Sequence, residues 1–251
     1  MYKKLSLLLA IALCLSLALA GCGASRPEDA APETTTPAAT TPAATTPATI
    51  LMPEAYDQVL QNLINAYPWN DDKDTIVPEN PELSYMYRQK ENLSEVGYAL
   101  VDLDQDGQVE LLLGDMTYSR LFDAYTLKDG QLVHLLDSGE RYGYYPLEDG
   151  YFELSWSGGA ALSGHDYLQL RSGELVLQER LALDAWHALD IGLIKELTEA
   201  NEDNTCFRSK TDQPEDYQLI SFDEYLAAID AWQAQYKPLT IPYTPLSEYG
   251  K

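Results

Sequence analysis

Cysteine is nearly missing from this chain, at 3 of 251 residues. Cys14 sits inside an N-terminal apolar run, Cys22 closes that run, and Cys206 is the one left in the body of the chain. A mature monomer therefore has no disulfide, and Cys206 is expected to be a buried apolar residue. Histidine is equally scarce at 3, and with so few cysteines it offers no spaced set of nitrogen and sulfur ligands for zinc. Cationic side chains are few, since 16 Lys and Arg face 40 Asp and Glu for a net charge of −24. That balance argues against nucleic acid and against lying on an anionic membrane surface. No G-x-S-x-G elbow is present; the nearest Ser and His are Ser163 and His165, and His165 reads as a loop residue with a backbone partner. Forty acids guarantee that some pair lies close, which removes any power to name a glycosidase pair.

What the chain does contain begins with Lys3 and Lys4, followed by a Leu- and Ala-rich run from Leu5 to Ala20. This is the pattern of a secretory signal covering 1–21. Leu19-Ala20-Gly21-Cys22 resembles the bacterial lipobox, and the resemblance implies that Cys22 carries a diacylglycerol thioether as the first mature residue. Two acyl chains supply the pair of hydrophobic signals that stable anchoring needs, a palmitate-type membrane anchor on the outer face of the cell. From 22 to 52 the composition falls to Ala, Thr, Pro and a few acids, with prolines at 37, 42 and 47. Such a stretch cannot build a core and acts as an extended spacer of about 3 Å per residue. Its threonines are acceptors for O-linked sugar by composition alone.

The stretch that demands one chemistry is Tyr98-Ala-Leu-Val-Asp-Leu-Asp-Gln-Asp-Gly-Gln-Val-Glu-Leu-Leu-Leu-Gly114. Asp102, Asp104 and Asp106 recur at every second position, and Gly107 allows a sharp turn. The Gln108 carbonyl adds an oxygen, and Glu110 stands where a ninth-position ligand belongs. Hard oxygen donors of this kind select Ca²⁺. The bland alternative is a solvated acidic Asp-Gly turn that holds no ion. A hairpin folded at Gly107 would put Val101, Leu103, Val109 and Leu111 on a core face and the carboxylates away from it. Leu100 and Leu112 on the carboxylate parity imply cover on both faces and a central position in the sheet. Leu113 at the twelfth position, with strand-type flanks, departs from an EF-hand. From Val101 to Leu113 the chain resembles the Asp-rich loops of FG-GAP and VCBS-type repeats, which implies a calcium-binding strand-loop-strand. The motif occurs once, where a propeller would repeat it. Signal, Thr/Pro stalk, this hairpin and the Tyr- and Gly-punctuated strands together resemble a group of lipoproteins of Gram-positive gut-type bacteria.

Helical spacing at Tyr56, Val59, Leu60, Leu63, Ile64 and Tyr67 predicts a helix over 53–67. A polar loop containing Asp71, Asp72 and Asp74 leads to a short second helix over 81–88. Beyond Gly114, apolar runs alternate with Asp129-Gly130, Asp149-Gly150 and Ser172-Gly173, which predicts an antiparallel meander. Residues 184–200 have helical spacing. Ser221 to Glu224 is a capping box opening a helix whose stripe is Phe222, Tyr225, Leu226, Ile229, Trp232 and Tyr236. The expectation is one α+β domain over 53–251, an antiparallel β-meander with flanking N- and C-terminal helices. Tyrosine is abundant at 18, and Tyr142, Tyr144 and Trp156 are expected ligand-contact aromatics for a glycan or peptide. The functional expectation is a monomeric, non-enzymatic surface binding or adhesion module, anchored by its lipid alone. A structural subunit of an envelope assembly and an unrecognised secreted hydrolase stay open beside it.

Overall fold

The computed structural model describes residues 52–66, 80, 83, 93–159 and 161–251. All lie in the unit Ala48–Lys251. The signal segment, Cys22, the Thr/Pro stretch, the Asp71–Asp74 loop and, apart from Leu83, the expected second helix fall outside the described residues. Among those described, no helix is long and apolar enough to cross a membrane.

Among the described residues, eleven strands form one antiparallel sheet: β1 (Val96–Val101), β2 (Glu110–Asp115), β3 (Leu121–Lys128), β4 (Gln131–Asp137), β5 (Tyr142–Pro146), β6 (Tyr151–Gly159), β7 (Leu162–Arg171), β8 (Glu174–Asp184), β9 (Cys206–Ser209), β10 (Gln218–Ile220) and β11 (Thr244–Pro245). Their order is β10-β9-β8-β7-β6-β5-β3-β2-β1-β11, with β4 paired to β3 off this path. Among the described residues, the helices seen from end to end are α1 (Glu54–Ala66), α2 (Ala185–Asp190) and α3 (Phe222–Gln235). The class is therefore α+β, built mostly from an antiparallel meander.

Two-residue turns make the meander. Asp129-Gly130 and Ser172-Gly173 both take positive φ at each position, the twist that matches flanking strands. Around them Lys128 pairs with Gln131 and Arg171 with Glu174. The α1 face of Tyr56, Leu60 and Leu63 packs with Leu111, Leu113 and Phe122 on one side of β2 and β3. On the other side Leu112, Leu121 and Ala124 meet Phe152 and Leu170 of β6 and β7. Side chains from strands distant in the sheet order thus share one core. Leu111, Leu112 and Leu113 are each fully buried, so β2 is covered on both faces, as its unbroken apolar run requires.

The second half is organised by α3. Ser221 accepts from Glu224 N, and the Glu224 carboxylate accepts from Ser221 N, which completes the capping box. Trp232 then stacks on Tyr167 at 4.3 Å, nearly parallel, and its indole N–H donates to the buried Glu179 at 2.7 Å. Cys206 is buried in the same cluster, and burial pushes its thiol pKa up. Two members of the expected stripe turn outward instead. Phe222 and Leu226 stay nearly half exposed, because the face centred on Tyr225, Ile229 and Trp232 meets the sheet and positions 222 and 226 lie at its margin.

The helix expected over 184–200 stops early. Asp184 caps α2 by accepting from His187 N at 2.8 Å, but Gly192 at positive φ ends the run, and Leu193 and Ile194 pack against Phe207 and Tyr217 without helix. His165 is not a loop residue either. It lies inside β7, and its Nδ1 meets Glu153 Oε1 at 2.7 Å. The C-terminal segment returns to the first half, where Thr244 and Pro245 pair with β1 and Leu246 fills the α1 core.

Candidate metal centre

The loop that holds the three aspartates joins β1 to β2, and its register corrects the parity expected from the sequence. Leu100 lies opposite Leu111 and Val101 opposite Glu110. Opposed side chains share a face, so even positions of β1 match odd positions of β2. A fold at Gly107 would instead match like with like. The turn is centred between Gln105 and Asp106, and Val101 and Leu103 pack with Leu112 while Val109 packs with Leu111.

Within the loop, backbone donors fix the carboxylates one by one. Asp102 Oδ2 accepts from Gly107 N at 3.0 Å, Asp104 Oδ1 from Asp106 N at 3.3 Å, and Asp106 Oδ1 from Gln108 N at 2.8 Å. Gly107 takes φ +92° with nothing near its missing Cβ, so the glycine serves the backbone angle alone. Asp102, Asp104 and Asp106 each bring one oxygen to within 4.8 Å of the others. That group could hold a metal ion. Asp102 Oδ1 is shielded from solvent and has no hydrogen-bond partner, an arrangement that costs free energy unless a cation or donor meets it. Burial, then the neighbouring Asp106 charge, raises the Asp104 pKa above its ordinary value.

Of the remaining expected ligands, Glu110 is placed differently. Glu110 is 2% exposed and turned into the fold. Its two oxygens accept from Leu103 N and from the Thr126 hydroxyl, each at 3.0 Å. Burial pushes its pKa up to about 7, with those two hydrogen bonds pulling the other way and Asp104 and Asp106 adding to the rise. Gln108, whose main-chain carbonyl is the expected ligand, ties its side-chain amide to Thr126 Oγ1 at 3.1 Å, which anchors the exit of the loop to β3. Tyr56 of α1 donates to Val109 O at 2.9 Å. Glu110 and Gln108 thus hold the loop to the fold from beneath, while the three aspartates form the outer cluster.

One contact was not legible in the motif. The turn between β5 and β6 carries Asp149 and Gly150 at positive φ, and a Cβ on Gly150 would lie 3.1 Å from Asp104 Cβ and 3.2 Å from Leu103 O. The aspartate loop therefore rests on the β5–β6 turn, where glycine gives both the angle and the space. The same turn is tied to the residue after α3 and its cap, as Glu148 N donates to Lys237 O at 2.9 Å.

Of the expected aromatics, Tyr142 and Trp156 are brought together as a directly opposed pair on β5 and β6. Tyr144 packs against the central core, and burial pushes its hydroxyl pKa up to about 12. No family model, curated protein or solved structure matches the chain.

Proposed function

We propose that the chain is a lipid-anchored module on the outer face of a cell membrane, non-enzymatic, that binds a glycan or peptide ligand and is stabilised by one Ca²⁺. The observation that carries the metal half is the convergence of Asp102, Asp104 and Asp106 within 4.8 Å beside an orphaned, solvent-shielded Asp102 oxygen. Calcium binds oxygens at about 2.4 Å, so oxygens on opposite sides of one ion sit just under 5 Å apart. Every donor is a hard carboxylate, whereas zinc and copper favour nitrogen and sulfur. Mg²⁺ wants a tighter octahedron and sheds water reluctantly. The ion's role is structural: it offsets the repulsion of three carboxylates in one loop and fixes the surface that rests on Gly150. The anchor half rests on the lipobox and spacer in the sequence, and the strongly acidic balance suits neutral or cationic ligands.

The test is thermal. Extracellular calcium modules have Kd of roughly 10⁻⁴ to 10⁻³ M, and about 100 times Kd adds on the order of 2.7 kcal/mol. Melting in millimolar Ca²⁺ should exceed melting in EDTA, Mg²⁺ should do less, and Asp104→Ala should abolish the shift while the domain still folds. Superimposed melts in EDTA and Ca²⁺ would refute the metal reading.

A further inference from the structure

Cross-strand register builds a trough on the sheet face opposite α3. Tyr142, Trp156, Gly164, Ala182 and Phe207 lie in one row across β5 to β9. Large aromatics stand at both ends of the row, and the smallest side chains occupy its middle. Trp156 leans inward over Gly164, since a Cβ on Gly164 would fall 2.4 Å from the indole Cζ2. The indole is thereby seated against the sheet at Gly164. In the next row Asp166 lies opposite Arg180, and the guanidinium grips it with Nε at 2.9 Å and Nη2 at 2.6 Å. Asp184 and His187 at the start of α2 close the far edge. The result is an open cleft of about 410 Å³, within the range of small-ligand sites. Tyr142 and Trp156 also border a separate cleft of about 320 Å³, whose lining residues Tyr145, Ser155 and Ser157 alternate to the opposite face of the sheet.

We propose that the first of these clefts binds a neutral oligosaccharide, with Trp156 as the stacking platform. This rests on the binding-module reading above and names its site and ligand class. Three observations select the ligand. An indole seated on glycine presents a flat apolar face of the kind that receives the C–H face of a pyranose ring. Asp184 and His187 at the cleft edge set a carboxylate beside an imidazole, matching hydroxyls that both donate and accept. The charge of Arg180 is met by Asp166 and, at 2.7 Å, by Asp212, and Asp184 adds a further acid, so the cleft repels anionic sugars and phosphates.

The experiment titrates the Ca²⁺-loaded protein, by calorimetry and tryptophan fluorescence, with cellotetraose, xylotetraose, maltotetraose and N-acetylated chitotetraose. At least one should bind. Trp156→Ala should weaken it at least about tenfold, the scale of losing a buried aromatic anchor, and Trp156→Phe should lose less. Tyr142→Ala, at a partly exposed position, should also weaken it. Trp186→Ala should not, because Trp186 is 59% exposed and lies outside the clefts. Silence across the panel overturns the proposal, as does binding indifferent to both Trp156→Ala and Tyr142→Ala, or binding of a quaternary ammonium probe or a peptide in place of sugar. A calcium-dependent melting shift that persists when the sugars fail leaves the metal reading standing, so the two failures are distinguishable.

Discussion

Replacing Glu110 by Gln gives a direct reading of what the buried carboxylate beneath the metal loop does to stability. The substituted side chain keeps an oxygen for Leu103 N, and Thr126 can turn its hydroxyl to accept from the new amide. In the unfolded chain the wild-type carboxyl titrates near 4.5, and in the native protein burial holds it up to about 7. Below pH 4.5 both states hold the proton and the group contributes no difference. Between 4.5 and 7 the unfolded chain has released it and the native protein has kept it, so stability falls as pH rises. Above 7 the native protein carries a buried carboxylate and the full penalty applies. A difference of this size corresponds to about 3 kcal/mol. Urea unfolding in EDTA, at pH 4.5 and pH 7.5, should therefore show wild type losing on the order of 3 kcal/mol relative to Glu110→Gln between the two conditions. Other carboxylates titrate in both proteins and cancel in the comparison. Saturating Ca²⁺ should shrink the gap, because a cation at the loop offsets the Asp104 and Asp106 charges that help raise the Glu110 value. A gap that is the same at both pH values refutes the reasoning.

Two further substitutions probe other parts of the chain. Arg180→Met leaves Asp166, 4% exposed, without its partner and should cost about 3–5 kcal/mol; the double change Arg180→Met with Asp166→Leu should recover most of it in the same unfolding assay, and no recovery would contradict the ion-pair account. Cys22→Ala should send an unlipidated form to the medium or leave an unprocessed precursor, and detergent-phase partitioning equal to wild type would sink the anchor.

The sequence shows the parts whose determinants are local. Asp129-Gly130 and Ser172-Gly173 force positive φ within a few residues, and the Ser221–Glu224 box needs only its own turn, so those hairpins and α3 were readable. The Asp102–Asp106 spacing likewise carries its own chemistry. Features set by register were not readable. The side chains of Val101 and Leu103 lie on the face of Leu112, because the loop pairs odd with even positions, and no residue type in the loop announces that choice. The short strands β9 and β10 find their places only after α2 and a turn-rich segment bring Cys206 beside Leu183. Tyr142 and Tyr144 point the same way along β5 and differ only in what the curled sheet puts over them, the open cleft for one and the core for the other. The role of Gly150 depends on a loop far away in the chain.

That last contact bears on time as well as on energy. Most strand pairs here join neighbours in sequence, so the hairpins form quickly, whereas the meeting of Asp104 with Gly150 must await the closing of a long stretch of chain. Interactions made after the rate-limiting barrier act on escape from the native state. The Asp104–Gly150 contact would thus lengthen the native lifetime while leaving the folding rate nearly unchanged. For a domain placed, as proposed, outside the cell among proteases, with no disulfide among its described residues, the rate of opening is the quantity that matters.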